Sequence, residues 1–179
     1  SASGGAPFGI ERLGLDVVAL LDHLDIARAA FCGISMGGLI GQWLMLNAPQ
    51  RLDRVVLCNT AAKIASPEVW NPRIETVLRD AAAAMVALRD ATINRWFTPR
   101  FVDEQPNEVN RMVDMLATTS PQGYAANCAA VRDADFRDQI ASAGLPVLVV
   151  CGNCDHVTTV VDGEFLVNAL EGAQLIELP

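Results

Sequence analysis

The chain has too few histidines, too few cations and too little uninterrupted apolar sequence for several broad classes of function. Lys and Arg number 13 against 21 Asp and Glu, giving a net charge of −8 with no basic cluster. That excludes nucleic-acid binding through phosphate neutralisation. Apolar runs such as Leu145–Cys151, interrupted by Pro146, and Val17–Leu21 are far too short to cross a bilayer. No charged start followed by an apolar stretch and a small-residue cleavage site opens the sequence, so secretion is not expected. The two histidines, His23 and His156, leave no ligand set at zinc spacing, and no metal is expected. Five cysteines, an odd number, argue against a secreted disulfide framework. Apolar residues make up 51% of the 179 residues and are evenly spread, which excludes low-complexity disorder and supplies a sizeable core. The expectation is an acidic, globular, cytoplasmic protein that binds neither nucleic acid nor membrane.

Cys32, Cys58 and Cys151 sit in or at the end of apolar runs, where cysteine behaves as a small buried hydrophobe. Cys151-Gly152-Asn153-Cys154 has the spacing of a redox dithiol. A thioredoxin-like motif opens a helix directly, whereas His156–Val160 reads as loop or extended chain, so this is the lesser alternative.

Apolar positions Leu13, Val17, Leu20, Leu21 and Leu24 follow helical spacing and predict a helix over Glu11–Leu24. Ala29–Ile34 reads as a short buried strand, Leu39–Asn47 as a helix, and Arg54–Cys58 as a second strand. Near-continuous apolar strands separated by a helix mark a parallel sheet covered on both faces. From about Ser66 to Ile140 the spacing is helical, with helices predicted over Asn71–Asp80, Ala81–Asn94, Asn107–Leu116 and Gly123–Val131. Strand, helix and strand then return over Pro146–Cys151, Gly163–Leu170 and Ala173–Leu178. The expected organisation is an α/β core in two segments, 1–62 and 142–179, with a helical cap over 63–141.

Gly33-Ile34-Ser35-Met36-Gly37 fits G-x-S-x-G between a predicted strand and a predicted helix. In a nucleophile elbow the serine sits on a strained turn, where side chains two residues before and after it would collide. Both flanking positions are therefore expected to require glycine. The turn aims a helix N-terminus at the serine, and the Met36 N–H becomes one oxyanion donor. A serine nucleophile needs a base, and the base needs an orienting acid. Asp155 follows a later strand where the acid belongs, and Asp162 is a lower-ranked rival at the start of the next helix. His23 reads as a solvent-facing helix residue, and His156 adjoins Asp155 too closely to serve both it and Ser35. No complete triad assembles from these residues.

At these residues the chain resembles the 3-oxoadipate enol-lactonase family of the α/β-hydrolases. The resemblance rests on Gly9–Leu13, on Phe31–Gly38 with Gly41–Leu44, on Val56–Ala62, and on Trp70 with Arg73. Arg95–Pro99 and Gly123–Cys128 extend it through the helical region. It implies strands five to eight of a hydrolase sheet plus the cap, in a chain incomplete at both ends. The preceding strands, the loop with the second oxyanion donor and the C-terminal histidine would be missing. The strand Ala29–Ile34 would then expose an edge, open to self-association or to pairing with the missing segments. The implied substrate is a small anionic lactone, attacked by Ser35 and recognised by Trp70, Arg73 and Trp96, with no cofactor. A general small-ester hydrolase, or an inactive binding or complementing module, stands as the alternative.

Overall fold

The computed structural model describes residues 8–179. Within them the chain divides into two compact units, a helical insert over residues 65–130 and an α/β unit formed by 8–64 and 131–179.

In the α/β unit, four parallel strands pair in the order β1 (Ala29–Ile34), β2 (Leu52–Cys58), β3 (Val147–Gly152) and β4 (Gln174–Leu178). The inner strand β3 alternates buried and half-buried positions throughout, whereas β4, at an edge, is mostly exposed. Val55, Leu57, Val149 and Cys151 form the sheet's buried layer, and Leu39, Leu44 and Met45 of α2 (Met36–Asn47) are equally buried. The helix α1 (Ile10–His23) meets α2 at Gly14, where an added Cβ would lie 2.0 Å from the Trp43 ring. Only the absence of a side chain permits that approach. Arg51, in the short turn before β2, ties the segment after α1 in place through the carbonyls of Ile26 and Ala27 and the Asp22 carboxylate.

The expected strands are found within two residues of their predicted limits, and α1 within one. The helix α2 starts at Met36 rather than Leu39, because packing overrides the poor helix propensity of Gly37 and Gly38. Residues 131–141 group with the α/β unit rather than with the cap expected over 63–141. The Phe136 N–H donates to the Ala62 carbonyl at 2.9 Å, Ile140 is fully buried, and Lys63 pairs with Asp135 at 3.3 Å.

The helical insert contains α3 (Pro67–Asp80), α4 (Ala82–Ala87), α5 (Arg89–Trp96), α6 (Pro99–Glu104) and α7 (Pro106–Ala117), and continues into α8 (Pro121–Asp133). Four of these helices begin at a proline, whose fixed φ and missing N–H suit a first turn. The helix expected over Ala81–Asn94 is two helices, α4 and α5, with Leu88 between them packed on the cluster Val77, Ala84, Met85, Leu116 and Ala125. The unexpected α6 carries its own start signal, Thr98-Pro99, with the Thr98 hydroxyl accepting the Phe101 N–H at 3.2 Å. The last helix, α9 (Val160–Ala169), lies between β3 and β4 in sequence.

Candidate active site

The site is built where β1, β2 and β3 end. β1 stops at Ile34 and α2 starts at Met36, so Ser35 alone makes the turn, with φ 53° and ψ −115°. A non-glycine residue there is strained by roughly 1–3 kcal/mol and persists only when its surroundings over-determine it. They do. The Ser35 N–H lies 3.0 Å from the Cys58 carbonyl and 3.1 Å from that of Asn59. The Ser35 carbonyl accepts from the Thr60 hydroxyl at 2.8 Å and from the N–H groups of Gly38 and Leu39 at 2.9 and 3.2 Å. The residue itself is exposed.

The glycines contribute unequally. A Cβ on Gly33 would fall 2.2 Å from the Gly37 carbonyl oxygen, and one on Gly38 would fall 2.5 Å from the Thr60 side chain. One on Gly37 would meet no described atom within 4 Å. The expectation that both flanking glycines are needed is therefore corrected: the collision arises at Gly33, and Gly38 is a second position that must stay small. The Met36 N–H, first in a twelve-residue helix, has no hydrogen-bond partner among the described residues. Such a donor at the positive end of a helix dipole suits an oxyanion.

Asp155 lies in the loop after β3, half-buried, its N–H donating to the Gly152 carbonyl at 3.1 Å. Its Oδ1 accepts the N–H groups of Val157 and Thr158 at 2.7 and 3.0 Å. Its Oδ2 accepts the Asn59 amide at 2.6 Å and the Thr158 hydroxyl at 2.9 Å. Burial opposes ionisation, but these donors outweigh it, led by Asn59, and hold the carboxyl below its ordinary range. Asn59 also touches the nucleophile turn through its carbonyl, so one residue joins the serine backbone to the acid.

Asp162 does different work. Its Oδ2 accepts the N–H and hydroxyl of Thr159 at 2.7 and 2.9 Å, closing a capping box at the start of α9. His156 is exposed beside Asp155, and His23 is exposed in the last turn of α1. Neither is hydrogen-bonded to Ser35 or Asp155. The dithiol alternative loses its chemistry: Cys151 is fully buried, Cys154 is exposed, and burial and nearby Asp155 push the Cys151 thiol up. A thiolate is disfavoured there. Burial and the neighbouring Cys32 likewise raise the Cys58 thiol to about 11.

In the helical insert, the Arg73 guanidinium lies 5.2 Å from the centre of the Trp70 ring on α3. Trp96, on α5, is 48% exposed. A groove of about 520 Å³ along α3 and α4 is lined by Arg73 and Asp80 among mostly apolar residues, and its lining includes neither Ser35 nor Asp155. Sequence reasoning assigned no role to Asn59, Thr60 or Thr158. Their signal was position: polar residues directly after a parallel strand, and a threonine three residues past the acid.

The sequence matches the α/β hydrolase fold family over residues 3–179. It is 47% identical over 166 residues to 3-oxoadipate enol-lactonase 2 of Acinetobacter baylyi, covering 93% of this chain and 61% of that protein. It is 41% identical over 157 residues to 3-oxoadipate enol-lactonase 1 of the same organism, covering 88% and 58%. The enol-lactonase from Burkholderia xenovorans LB400 superposes with a TM-score of 0.94 at 43% identity, covering 99% of this chain and 67% of that one. The chain thus spans about three fifths of the curated relatives it matches.

Proposed function

The chain belongs to the α/β-hydrolase family, and on that premise we propose that the whole protein hydrolyses an enol-lactone bearing a carboxylate, of the 3-oxoadipate enol-lactone type. Support comes from the two relatives above 40% identity. The single observation that carries the chemistry is the exposed, positive-φ Ser35 joined through Asn59 to an ionised Asp155.

Ser35 Oγ attacks the lactone carbonyl while an imidazole removes its proton. The tetrahedral oxyanion is met by the Met36 N–H, a donor already fixed before reaction. Collapse breaks the ring C–O bond; the enol oxygen takes the proton from the imidazolium and the enol tautomerises to a ketone. Water, deprotonated by the same base, then cleaves the acyl-serine and releases a second carboxylate. Asp155 orients and stabilises the imidazolium. His23 and His156 hold no bond to either partner, so we assign the imidazole to a third histidine, carried by the whole protein beyond these 179 residues. Four donors already occupy the Asp155 oxygens, two of them backbone N–H groups. An arriving ring N–H must therefore share Oδ2 with Asn59 or Thr158.

Arg73, stacked on Trp70, binds the substrate carboxylate in this reading, with Trp96 lining the pocket. Turnover of the anionic lactone by the full-length protein, followed by ring absorbance, tests the reading directly. Hydrolysis of the lactone at least tenfold better than of an uncharged ester of equal size supports it; equal rates would favour a general esterase.

A further inference from the structure

We infer that Thr60 is a positioning residue for the oxyanion donor: its hydroxyl holds the Ser35 carbonyl and, through that peptide plane, aims the Met36 N–H. The inference rests on the serine reading above for the charge that this N–H receives.

A trans peptide is flat, and its carbonyl and N–H point in opposite directions. The Ser35 carbonyl and the Met36 N–H are the two ends of one such plane, so whatever fixes the first aims the second. The tilt of that plane is set by the Ser35 ψ of −115°, which lies outside both the helical and the extended ranges. Local preference therefore does not hold it there. Three donors among the described residues do. Two are the N–H groups of Gly38 and Leu39, at 2.9 and 3.2 Å, which belong to the first turn of α2. The Thr60 hydroxyl, at 2.8 Å, is the shortest of the three and comes from outside that helix.

Thr60 is itself anchored. β2 is held on both sides at its last residue, with Cys58 in register with Ile34 of β1 and Val150 of β3. Asn59 continues from it, its N–H donating to the Val150 carbonyl at 2.8 Å and its carbonyl lying 3.1 Å from the Ser35 N–H. Asn59 thus holds the peptide plane before the serine, and Thr60 holds the plane after it. The Thr60 side chain lies against Gly38, where an added Cβ would fall 2.5 Å from it. At 1% exposure its hydroxyl is shielded from solvent, which strengthens the bond it makes. A donor on the carbonyl also polarises the N–H at the far end of the same plane. A backbone donor has no side chain to delete, and Thr60 is the side chain through which this one can be moved.

The experiment follows hydrolysis of the enol-lactone by the full-length protein and, in parallel, its titration with phenylboronic acid. Ser35 Oγ adds to boron while its proton passes to the imidazole, leaving a tetrahedral boronate anion that resembles the oxyanion intermediate. Thr60→Val replaces the hydroxyl with a methyl group of nearly the same shape. It is expected to lower kcat about tenfold, less than the loss of a whole oxyanion donor, with KM changed less than about twofold. Boronate binding should weaken by a similar factor. Thr60→Ser, which keeps the hydroxyl, should recover most of both losses, and Thr60→Ala makes the same comparison should Thr60→Val fail to fold. A merely structural role would lower the unfolding midpoint and leave kcat and boronate affinity of the folded protein alone. Boronate binding lost in Ser35→Ala but unchanged in Thr60→Val would overturn the inference alone. Boronate binding that survives in Ser35→Ala would sink the serine reading and the inference with it. Binding that depends on both residues, in a protein inert to the lactone, would sustain the inference and sink the lactone reading.

Discussion

The nucleophile turn and the helical insert hold their functional side chains by opposite means. Ser35 is fixed by backbone: its main chain bonds to Cys58, Asn59, Thr60, Gly38 and Leu39, and its neighbours leave no room for a Cβ at Gly33. Arg73 is held by a side chain, its guanidinium lying over the Trp70 indole. The first arrangement suits chemistry, where a reacting atom must be placed before the substrate arrives. The second suits recognition, since substituting one aromatic residue can retune it without disturbing a sheet.

That contrast can be broken most severely at the nucleophile itself. Ser35→Ala should lower kcat of the full-length enzyme by about 10⁴-fold or more while leaving its unfolding midpoint nearly unchanged, because alanine inherits the same backbone turn. Activity within tenfold of wild type would remove Ser35 from the mechanism. In the insert, Met85→Ala empties the centre of the cluster with Val77, Ala84, Leu116 and Ala125 and should cost about 2–5 kcal/mol. Amide exchange should then quicken in α4 and α7 before β2 and β3; uniform quickening would deny the insert a core of its own.

Gly33→Ala should destabilise by about 1–3 kcal/mol through its clash with the Gly37 carbonyl, read from the urea midpoint. Gly37→Ala, by contrast, enters open space inside a helix and should be neutral or stabilising by up to about 1 kcal/mol. Equal losses would restore the symmetric reading of the motif. The smallest effect concerns titration. The Asp155 carboxyl is held low chiefly against burial by the Asn59 amide, so Asn59→Ala should raise its pKa, seen by carbon NMR of the side chain. A depressed native pKa adds stability above the unfolded value, lost as pH falls through the native one. Asn59→Ala should therefore shrink that acid-side loss, and an unmoved titration would show that the backbone donors alone suffice.

The same contrast explains what was legible in the residues. β1 and β2 stand where their apolar stretches placed them, although β1, at the sheet's edge, buries only Gly33 instead of being a buried strand, and Ser35 read as an elbow because its flanking pattern sits between strand and helix. The start of α2 did not, since Gly37 and Gly38 look like loop until Thr60 is seen packed against Gly38. In the insert, the break at Leu88 carries no glycine or proline; it exists because Leu88 turns into a cluster assembled from four helices. The position of Asp155 after a strand is readable from the sequence, whereas its shortest hydrogen bond, from Asn59, joins residues 96 apart and is visible only in three dimensions.

The most direct measurement is rapid quenching of the full-length protein during turnover of the enol-lactone, followed by peptide mapping. An acyl group is expected on the peptide carrying Ser35, and both it and turnover should be absent from the Ser35→Ala protein. Lactone hydrolysis that continues in Ser35→Ala, or an acyl group found on another residue, would contradict the serine mechanism.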